Sequence, residues 1–331
     1  MDTISTDGEE MLLLNDKNLN IVGFATRNNL KFILSECKKF FIDGTFKYCP
    51  RLFYKLVTIH TVKNGEYVPL VYLLLPNKSE DTYVNAFLAV VTEAQKLGFL
   101  FQPKSIVCDF EVGLQNAIKL VWPSADLVGC RFHVTQAWWR KMQELGLQTA
   151  YYEQGEVGRW LQWIFGLPLL SPENSVECFT DEFMSCIPDD DRIVKFVDYM
   201  YDTYVKDGAS FPSYLWAAME TDDRTSNACE AFHSKLSGYF YHTHPDVTTF
   251  VVEVKNLQNH TEICKNTAET NTHTTSSHTK KRRDMIHTSI NDYKSKKISR
   301  FQYVQRVSHH YSKKNKASKK RIAHELSLIH I

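Results

Sequence analysis

Phe40-Phe41-Ile42-Asp43-Gly44-Thr45-Phe46 is the stretch of sequence from which the fold can be predicted. Its apolar run, bounded by glycine, predicts a buried strand over 38–47. A lone charge is costly to bury, so Asp43 must leave the core where the strand ends or be paired there. Ile106-Val107-Cys108-Asp109 repeats the pattern, so a second buried strand also ends in an aspartate.

The residues around these two stretches predict a mixed sheet with helices on its faces. Asn64-Gly65 separates two further apolar runs and is a strong hairpin signal. Ser79, followed by two carboxylates, marks the start of a helix. The order β-β-β-α-β-α-β-α is typical of an α/β fold, here with a mixed five-stranded sheet. The strands are expected over 38–47, 53–62, 67–75, 105–109 and 126–130.

The rest of the chain divides by composition and periodicity. Residues 1–36 form an N-terminal segment and 37–149 the first part of the α/β core. Residues 150–222 show helical spacing without strand-like alternation, and Ser171-Pro172 is a favourable helix start, so an all-helical insertion is expected. Residues 223–264 complete the core with an acidic helix. A Thr/Ser-rich linker over 267–279 then introduces a flexible tail, which spans 265–331.

Composition excludes several classes of protein. Hydrophobic residues make up 43% and charged residues 23%, which is ordinary for a globular chain and unlike a disordered or collagen-like one. No apolar run approaches the roughly 20 residues that span a bilayer. The eight cysteines show no CxxC pairs or disulfide rhythm, so a reducing compartment is expected.

The net charge of +1 hides a strong asymmetry. Residues 265–331 carry 16 Lys and Arg against 4 Asp and Glu, so the chain is an acidic body with a basic tail. Lys280-Lys281-Arg282-Arg283 is a compact basic run, typical of nucleic-acid contacts or of nuclear import. The alternative is a solvated tail without a ligand. Composition alone does not decide between the two; the first agrees with the nuclear location that we expect.

The two aspartates indicate metal-dependent chemistry. Parallel crossovers are right-handed, so the ends of the first and fourth strands can lie side by side, and Asp43 and Asp109 then converge. Carboxylates are the ligands that Mg²⁺ prefers. A third acid would complete a two-metal site. The candidates are Glu230 and Glu111, although Glu230 also matches the capping-box spacing from Asn227.

Five motifs in order give the chain a resemblance to a known family. Between 38 and 260 it resembles a Mutator-like element (MULE) transposase domain. The resemblance implies a ribonuclease-H-like fold with a helical insertion before the final acidic helix. It also implies a DDE triad at Asp43, Asp109 and Glu230, and a Cys-x-x-His motif at Cys130 and His133 that helps to position the site. The motifs are Asp-Gly-Thr-Phe at 43–46, Pro-Leu-Val-Tyr at 69–72 before Leu-Pro-Asn-Lys at 75–78, Asp-Phe-Glu at 109–111, Gly-Cys-Arg-Phe-His at 129–133 and Arg-Thr-Ser-Asn-x-x-Glu-x-x-His at 224–233.

The function expected from this resemblance is that of a DNA transposase catalytic domain. Two Mg²⁺ or Mn²⁺ ions would serve cleavage at transposon ends and strand transfer into target DNA. The active complex is expected to be a homo-oligomer on DNA, without a membrane. The main alternative is a domesticated or truncated relative that binds DNA or protein without cutting. A ribonuclease-H-like nuclease acting on RNA or DNA ends is the least favoured reading.

The chain departs from the family in two places. Ser226 stands where the family often has Asn, a mild change that keeps the capping Asn227 and Glu230. No Cys/His framework of a zinc-dependent DNA-binding module precedes Asp43. Three explanations stay open: the chain is part of a longer protein, the basic tail supplies affinity for DNA, or recognition of a specific site has been lost.

A structural zinc site is the remaining alternative for the Cys-x-x-His motif. Cys229 and His233 would complete a Cys₂His₂ set with Cys130 and His133. Nothing in the sequence brings the two halves together. We therefore expect Cys130 and His133 to pack and position the site, without zinc.

Overall fold

The computed structural model describes residues 3–36, 38–63, 66–98, 100–153, 155–219, 232, 236, 238–240, 242–270 and 277–310. The chain divides into two compact units. Unit 1 comprises residues 1–134 and 224–274, and unit 2 comprises residues 135–223 and 275–331.

Unit 1 is built on a mixed sheet of seven strands in the order β1-β2-β5-β4-β3-β6-β7. The prediction of five strands is wrong, because β1 and β2 lie in the N-terminal segment and β2 pairs antiparallel with β5. They were missed because they are short and owe their strand conformation to this long-range pairing. The strands are β1 Leu12–Asp16, β2 Ile21–Phe24, β3 Lys39–Thr45, β4 Lys55–Lys63, β5 Glu66–Leu75, β6 Ser105–Cys108 and β7 Asp126–Gly129.

Strand β3 lies in the interior of the sheet, between its antiparallel part and its parallel part. It pairs antiparallel with β4 and parallel with β6. Ile42 is in register with Cys108, so the next residue on each strand is an aspartate. The antiparallel β4–β5 pairing extends to Lys63 and Glu66, as expected of a hairpin, while Asn64 and Gly65 lie outside the described residues.

Helices cover both faces of this sheet. Helices α1 (Arg27–Glu36), α2 (Glu80–Lys96) and α3 (Val112–Val121) belong to unit 1. The predicted start of α2 is confirmed, since the Ser79 side chain accepts a hydrogen bond from the Thr82 N–H. Tyr83 and Phe87 of α2 pack with Phe40, Ile42 and Val57 from one face of the sheet. Burying a side chain such as Phe87 contributes about 1.5–3 kcal/mol.

The opposite face packs against residues near the carboxyl end of unit 1. Phe250, Val254 and Leu257 lie in one cluster with Leu56 of β4. Two described residues from the sequence-predicted acidic helix, Phe232 and Leu236, belong to the same cluster. Helix α10 (Val247–Thr270) belongs to unit 1, whereas α4 (Arg131–Glu144) begins in unit 1 and continues in unit 2 from residue 135.

All the regular secondary structure in the described residues of unit 2 is helical. Its core contains Trp138, Trp160 and Trp216, all fully buried, which agrees with a packing role for these aromatics. Ser171 caps α7 as expected. The helices are α5 Gln148–Tyr152, α6 Glu156–Ile164, α7 Pro172–Glu177, α8 Asp191–Met200, α9 Ser213–Trp216, α11 Ser277–Lys294 and α12 Arg300–Ser308, with π-helical turns over Cys178–Phe183 and Tyr201–Val205.

The basic tail contains folded elements, contrary to the expectation that it is flexible. Helix α12 begins with a capping box at Ser299 and buries Tyr303, Val304 and Val307 completely. Arg300 forms an ion pair with Glu182 at 2.9 Å. The density of charge in the sequence concealed this short apolar stripe. The Thr/Ser-rich linker also differs from prediction, since α10 runs to Thr270 and α11 begins at Ser277.

Within the described part of the chain, no helix combines the length and the apolar character needed to cross a membrane.

Candidate active site

Two carboxylates meet at one end of the sheet. Asp43 lies near the end of β3 and is only 3% exposed. Asp109 directly follows β6, and its side chain is 30% exposed. Since side chains alternate along a strand, Asp43 shares a face with Phe41, and Asp109 shares it with Val107. The parallel β3–β6 pairing thus brings the two predicted site residues together.

His133 lies within ion-pair distance of both carboxylates. It stands in the first turn of α4, which follows β7. Its Nε2 is 3.6 Å from Asp43 Oδ1, and its Nδ1 is 3.7 Å from Asp109 Oδ1. The Cys-x-x-His spacing places Cys130 just before the helix, where it is buried against Phe41 and Val107.

The surroundings of His133 favour its protonated form. Burial lowers the pKa of the imidazole. The hydrogen bond with Cys130 and the negative charges of Asp109 and Asp43 outweigh burial and raise that pKa to about 10. The imidazole is therefore positively charged at neutral pH when no metal is bound. The protonated imidazole thus lies within ion-pair distance of both carboxylates.

Backbone groups fix the orientation of each carboxylate. The Gly44 N–H donates to Asp43 Oδ1 at 2.8 Å, and the Phe110 N–H donates to Asp109 Oδ1 at 2.6 Å. The Thr58 hydroxyl donates to the Asp43 carbonyl oxygen at 3.3 Å, which ties β4 to the end of β3. These bonds hold the side chains in place before any ligand arrives.

Glu111, the competing third acid, is engaged elsewhere. Its Oε2 lies 2.6 Å from the Lys55 ammonium, and its Oε1 accepts a hydrogen bond from the Tyr83 hydroxyl at 2.6 Å. Lys55 is almost fully buried and also donates to the Tyr83 hydroxyl at 3.0 Å. Burial and the neighbouring Glu111 carboxylate raise the pKa of Tyr83, so its phenol remains a donor.

This Lys55–Tyr83–Glu111 network lies on the opposite face of the sheet from Asp43. Lys55 alternates with Val57, which packs against α2 and α3. Gly44 gives it room, because a Cβ atom there would lie 2.2 Å from Lys55 Cε. The glycine after Asp43 is therefore required by packing. Lys55 and Tyr83 were not predicted from the sequence, in which the only available signal is a lysine inside an apolar strand.

The third predicted acid, Glu230, lies outside the described residues, together with Arg224–Asn227, Cys229 and His233. The nearest described residue is Phe232. Its ring centroid is 4.1 Å from that of His60, in an edge-to-face arrangement. His60 is in register with Phe41, so Phe232 lies on the Asp43 face of the sheet.

The donor set suits a hard divalent cation, which prefers oxygen ligands. Asp43 and Asp109 provide carboxylate oxygens on adjacent strands. Among the described residues, no group of three His, Cys, Asp or Glu side chains has the geometry to hold a metal ion. The second half of the alternative Cys₂His₂ set, Cys229 and His233, lies outside the described residues.

The predicted basic run lies on α11 of unit 2. Lys281 and Arg283 are exposed there, while the side chains of Lys280 and Arg282 lie outside the described part.

Comparison with known proteins agrees with the sequence motifs. No curated protein matches the chain. Residues 40–137 match the family model of the MULE transposase domain. The match includes both aspartates, Cys130 and His133. This stretch of the chain, with its paired carboxylates, is therefore similar to a MULE transposase domain.

Proposed function

We propose that the chain is the catalytic domain of a DDE-type DNA transposase. It would cleave phosphodiester bonds at transposon ends and join the ends to target DNA, using Mg²⁺ or Mn²⁺ bound by Asp43, Asp109 and Glu230. The observation that carries the proposal is the juxtaposition of Asp43 and Asp109 on neighbouring parallel strands within the MULE match.

The strand order supports a ribonuclease-H-like core. Strands β3, β4 and β5 form an antiparallel meander, and β6 and β7 then add in parallel on the other side of β3. This arrangement is the one implied by the family resemblance. Strands β1 and β2 extend it at the β5 edge.

Chain connectivity supports Glu230 as the third acid. Glu230 precedes Phe232 by two residues, and consecutive Cα atoms are about 3.8 Å apart. Phe232 packs on His60, on the Asp43 face of the sheet. Glu111, the competing acid, pairs with Lys55 on the other face.

In the proposed reaction, the side chains of the protein position the metal ions. When bound, two divalent ions activate the attacking oxygen and stabilise the leaving one. Asp43 and Asp109 would hold the ions, and the Gly44 and Phe110 N–H groups fix the orientation of their carboxylates. His133 stands between the carboxylates and limits their mutual repulsion. Cys130 fixes the imidazole by its hydrogen bond.

Partners and location follow as part of the same proposal. The substrate and partner is DNA, and a homo-oligomer is needed to hold two transposon ends together. Exposed Lys281 and Arg283, with Lys280 and Arg282, would contact phosphates and act as a nuclear-import signal. No zinc is required.

The test is metal-dependent nicking of a labelled DNA duplex by the purified chain, with Mg²⁺, Mn²⁺ or EDTA. We expect cleavage with either metal and none in EDTA. The Asp109→Asn variant should bind DNA without cutting it. If the wild-type chain binds DNA but never cleaves it, the alternative of a domesticated, non-cutting binder is supported instead.

A further inference from the structure

The loop that joins β3 to β4, residues 46–54, exposes large apolar side chains. Phe46 is 43%, Leu52 74% and Tyr54 46% exposed. Lys47 and Arg51 in the same loop are also exposed. Apolar groups displayed together with cations are typical of a binding surface. We call residues 46–54 the aromatic-basic loop.

The backbone of the aromatic-basic loop is held in place by contacts with the rest of unit 1. Tyr48 and Cys49 point into unit 1 and are buried, and the Tyr48 ring stacks on Phe240 with centroids 5.4 Å apart. The His244 N–H donates to the Lys47 carbonyl oxygen at 2.9 Å. The exposed side chains therefore project from a fixed backbone, which lowers the entropic cost of binding a ligand.

The two exposed aromatic rings form a pair. Phe46 and Tyr54 meet edge to face, with centroids 5.2 Å apart. The Lys55 ammonium lies 5.2 Å from the Phe46 centroid and supports that ring from the interior. An exposed pair of this kind can stack on unpaired bases, since every base has a π-face.

The loop lies at the same end of the sheet as the carboxylates, with the Phe46 ring on the Lys55 face. Phe46 follows Asp43 by three residues, so their Cα atoms are no more than about 11 Å apart. Within the described part of the chain, neither Lys47 nor Arg51 has an ion pair with a carboxylate. Residues 1–264 are acidic overall, and within them Lys47 and Arg51 provide two neighbouring positive charges that can attract phosphate.

We propose that the aromatic-basic loop binds the DNA strand that enters the Asp43–Asp109 site. Phe46 and Tyr54 stack on unpaired bases next to the cleaved position, and Lys47 and Arg51 contact the flanking phosphates. This inference rests on the proposed function, because the site must act on DNA. It adds a preference for DNA with an unpaired segment at the cleaved position over intact blunt duplex.

Binding of fluorescent DNA to the full chain in EDTA tests the loop without catalysis. A forked duplex with an unpaired arm and a blunt duplex of equal length are compared by anisotropy. The Phe46→Ala/Tyr54→Ala variant should lose about tenfold or more in affinity for the fork, and much less for the blunt duplex. Phe46→Trp should retain fork binding and Phe46→Leu should weaken it, because only the former keeps a ring.

The contribution of the two basic residues is measured separately, by the salt dependence of binding. Lys47→Ala/Arg51→Ala should reduce the slope of log affinity against log salt by about 1.4 on a single-stranded arm. The matched control is Lys119→Ala/Leu120→Ala, which removes an exposed cation and an exposed apolar side chain from the last turn of α3. The control should bind both DNAs like the wild type. Circular dichroism and thermal melting verify that each variant folds.

The outcomes separate this inference from the proposed function. Nicking activity with unchanged fork binding in the Phe46/Tyr54 variant overturns the loop assignment alone. Loop-dependent fork binding without cleavage overturns the transposase activity but supports the loop. If the wild type shows no preference for the fork, or if the variants change only the oligomeric state in light scattering, the loop is not a DNA surface and the inference is wrong.

Discussion

The two faces of the sheet carry two different charge clusters at the same end of β3. On one face, Asp43 and Asp109 share a single imidazolium, that of His133. On the other, the Glu111 carboxylate has its own ammonium from Lys55 and a phenol from Tyr83. The first cluster places two carboxylates against one imidazole, and we call it the unbalanced cluster; the second places one carboxylate against one ammonium, and we call it the balanced cluster. Under the proposed function, the unbalanced cluster takes part in binding the cation, whereas the balanced cluster stabilises the fold.

The largest effect is expected when Asp109 is replaced by its amide. Asp109→Asn removes charge from the unbalanced cluster, so metal-dependent cleavage should fall by about a thousandfold or more, a transition-state loss of about 4 kcal/mol. The thermal midpoint should change little or rise, because repulsion with Asp43 is relieved. Nicking rates and melting curves check both. Undiminished cleavage would remove Asp109 from the site.

The balanced cluster should respond in the opposite way. Lys55→Met leaves the Glu111 charge partly buried without its cation, so the free energy of unfolding should drop by about 3 kcal/mol. Lys55→Met/Glu111→Leu should recover most of it. Urea unfolding measures the change. The double variant should keep the wild-type affinity for Mn²⁺ in calorimetry, and a lost affinity would show that Glu111 is a ligand after all.

Gly44 connects the two clusters. Gly44→Ala would place a methyl group 2.2 Å from Lys55 Cε, so the lysine or the β3 backbone must shift. Overpacking of this kind costs about 1–3 kcal/mol. Chemical denaturation gives this cost. When Gly44→Ala is introduced into the Lys55→Met variant, its cost in unfolding free energy should be only a fraction of its cost in the wild type. An unchanged cost would mean that the new methyl group is strained against a group other than the lysine.

The last prediction concerns the pH dependence of stability in the metal-free chain. The pKa of His133 is raised to about 10 from 6.5, so its contribution to stability is complete below about pH 6.5 and is lost as pH rises through 10. Over that interval the slope of unfolding free energy against pH should approach about −1.4 kcal/mol per unit from this group. In His133→Gln this component should vanish. Equal slopes for both proteins in EDTA would contradict the raised pKa.

Much of the fold was predictable because its signals are local. The five apolar runs of the core, the cap at Ser79 and the helical periodicity of the insertion all lie within short stretches of sequence. Strands β1 and β2 were not predictable, since their conformation depends on pairing with β5. Helix α12 was hidden by the surrounding charge, although Tyr303, Val304 and Val307 have helical spacing.

The site divides in the same way. Asp43 and Asp109 were predictable from two apolar runs and from the handedness of a crossover. The proximity of His133 to both carboxylates was not, because it depends on where α4 starts after β7. Likewise, no local pattern connects Lys55 with Tyr83 and Glu111, which come from three separate elements.

The parallel pairing of β3 with β6 also determines when the site exists. Asp43 and Asp109 are far apart in the sequence, and only the register of Ile42 with Cys108 brings them together. Parallel pairing over such a separation requires closure of a long loop and is slow to form. In a nascent or partly folded chain, the two aspartates are therefore not yet adjacent. Any chemistry that needs both aspartates can begin only after β3 and β6 have paired.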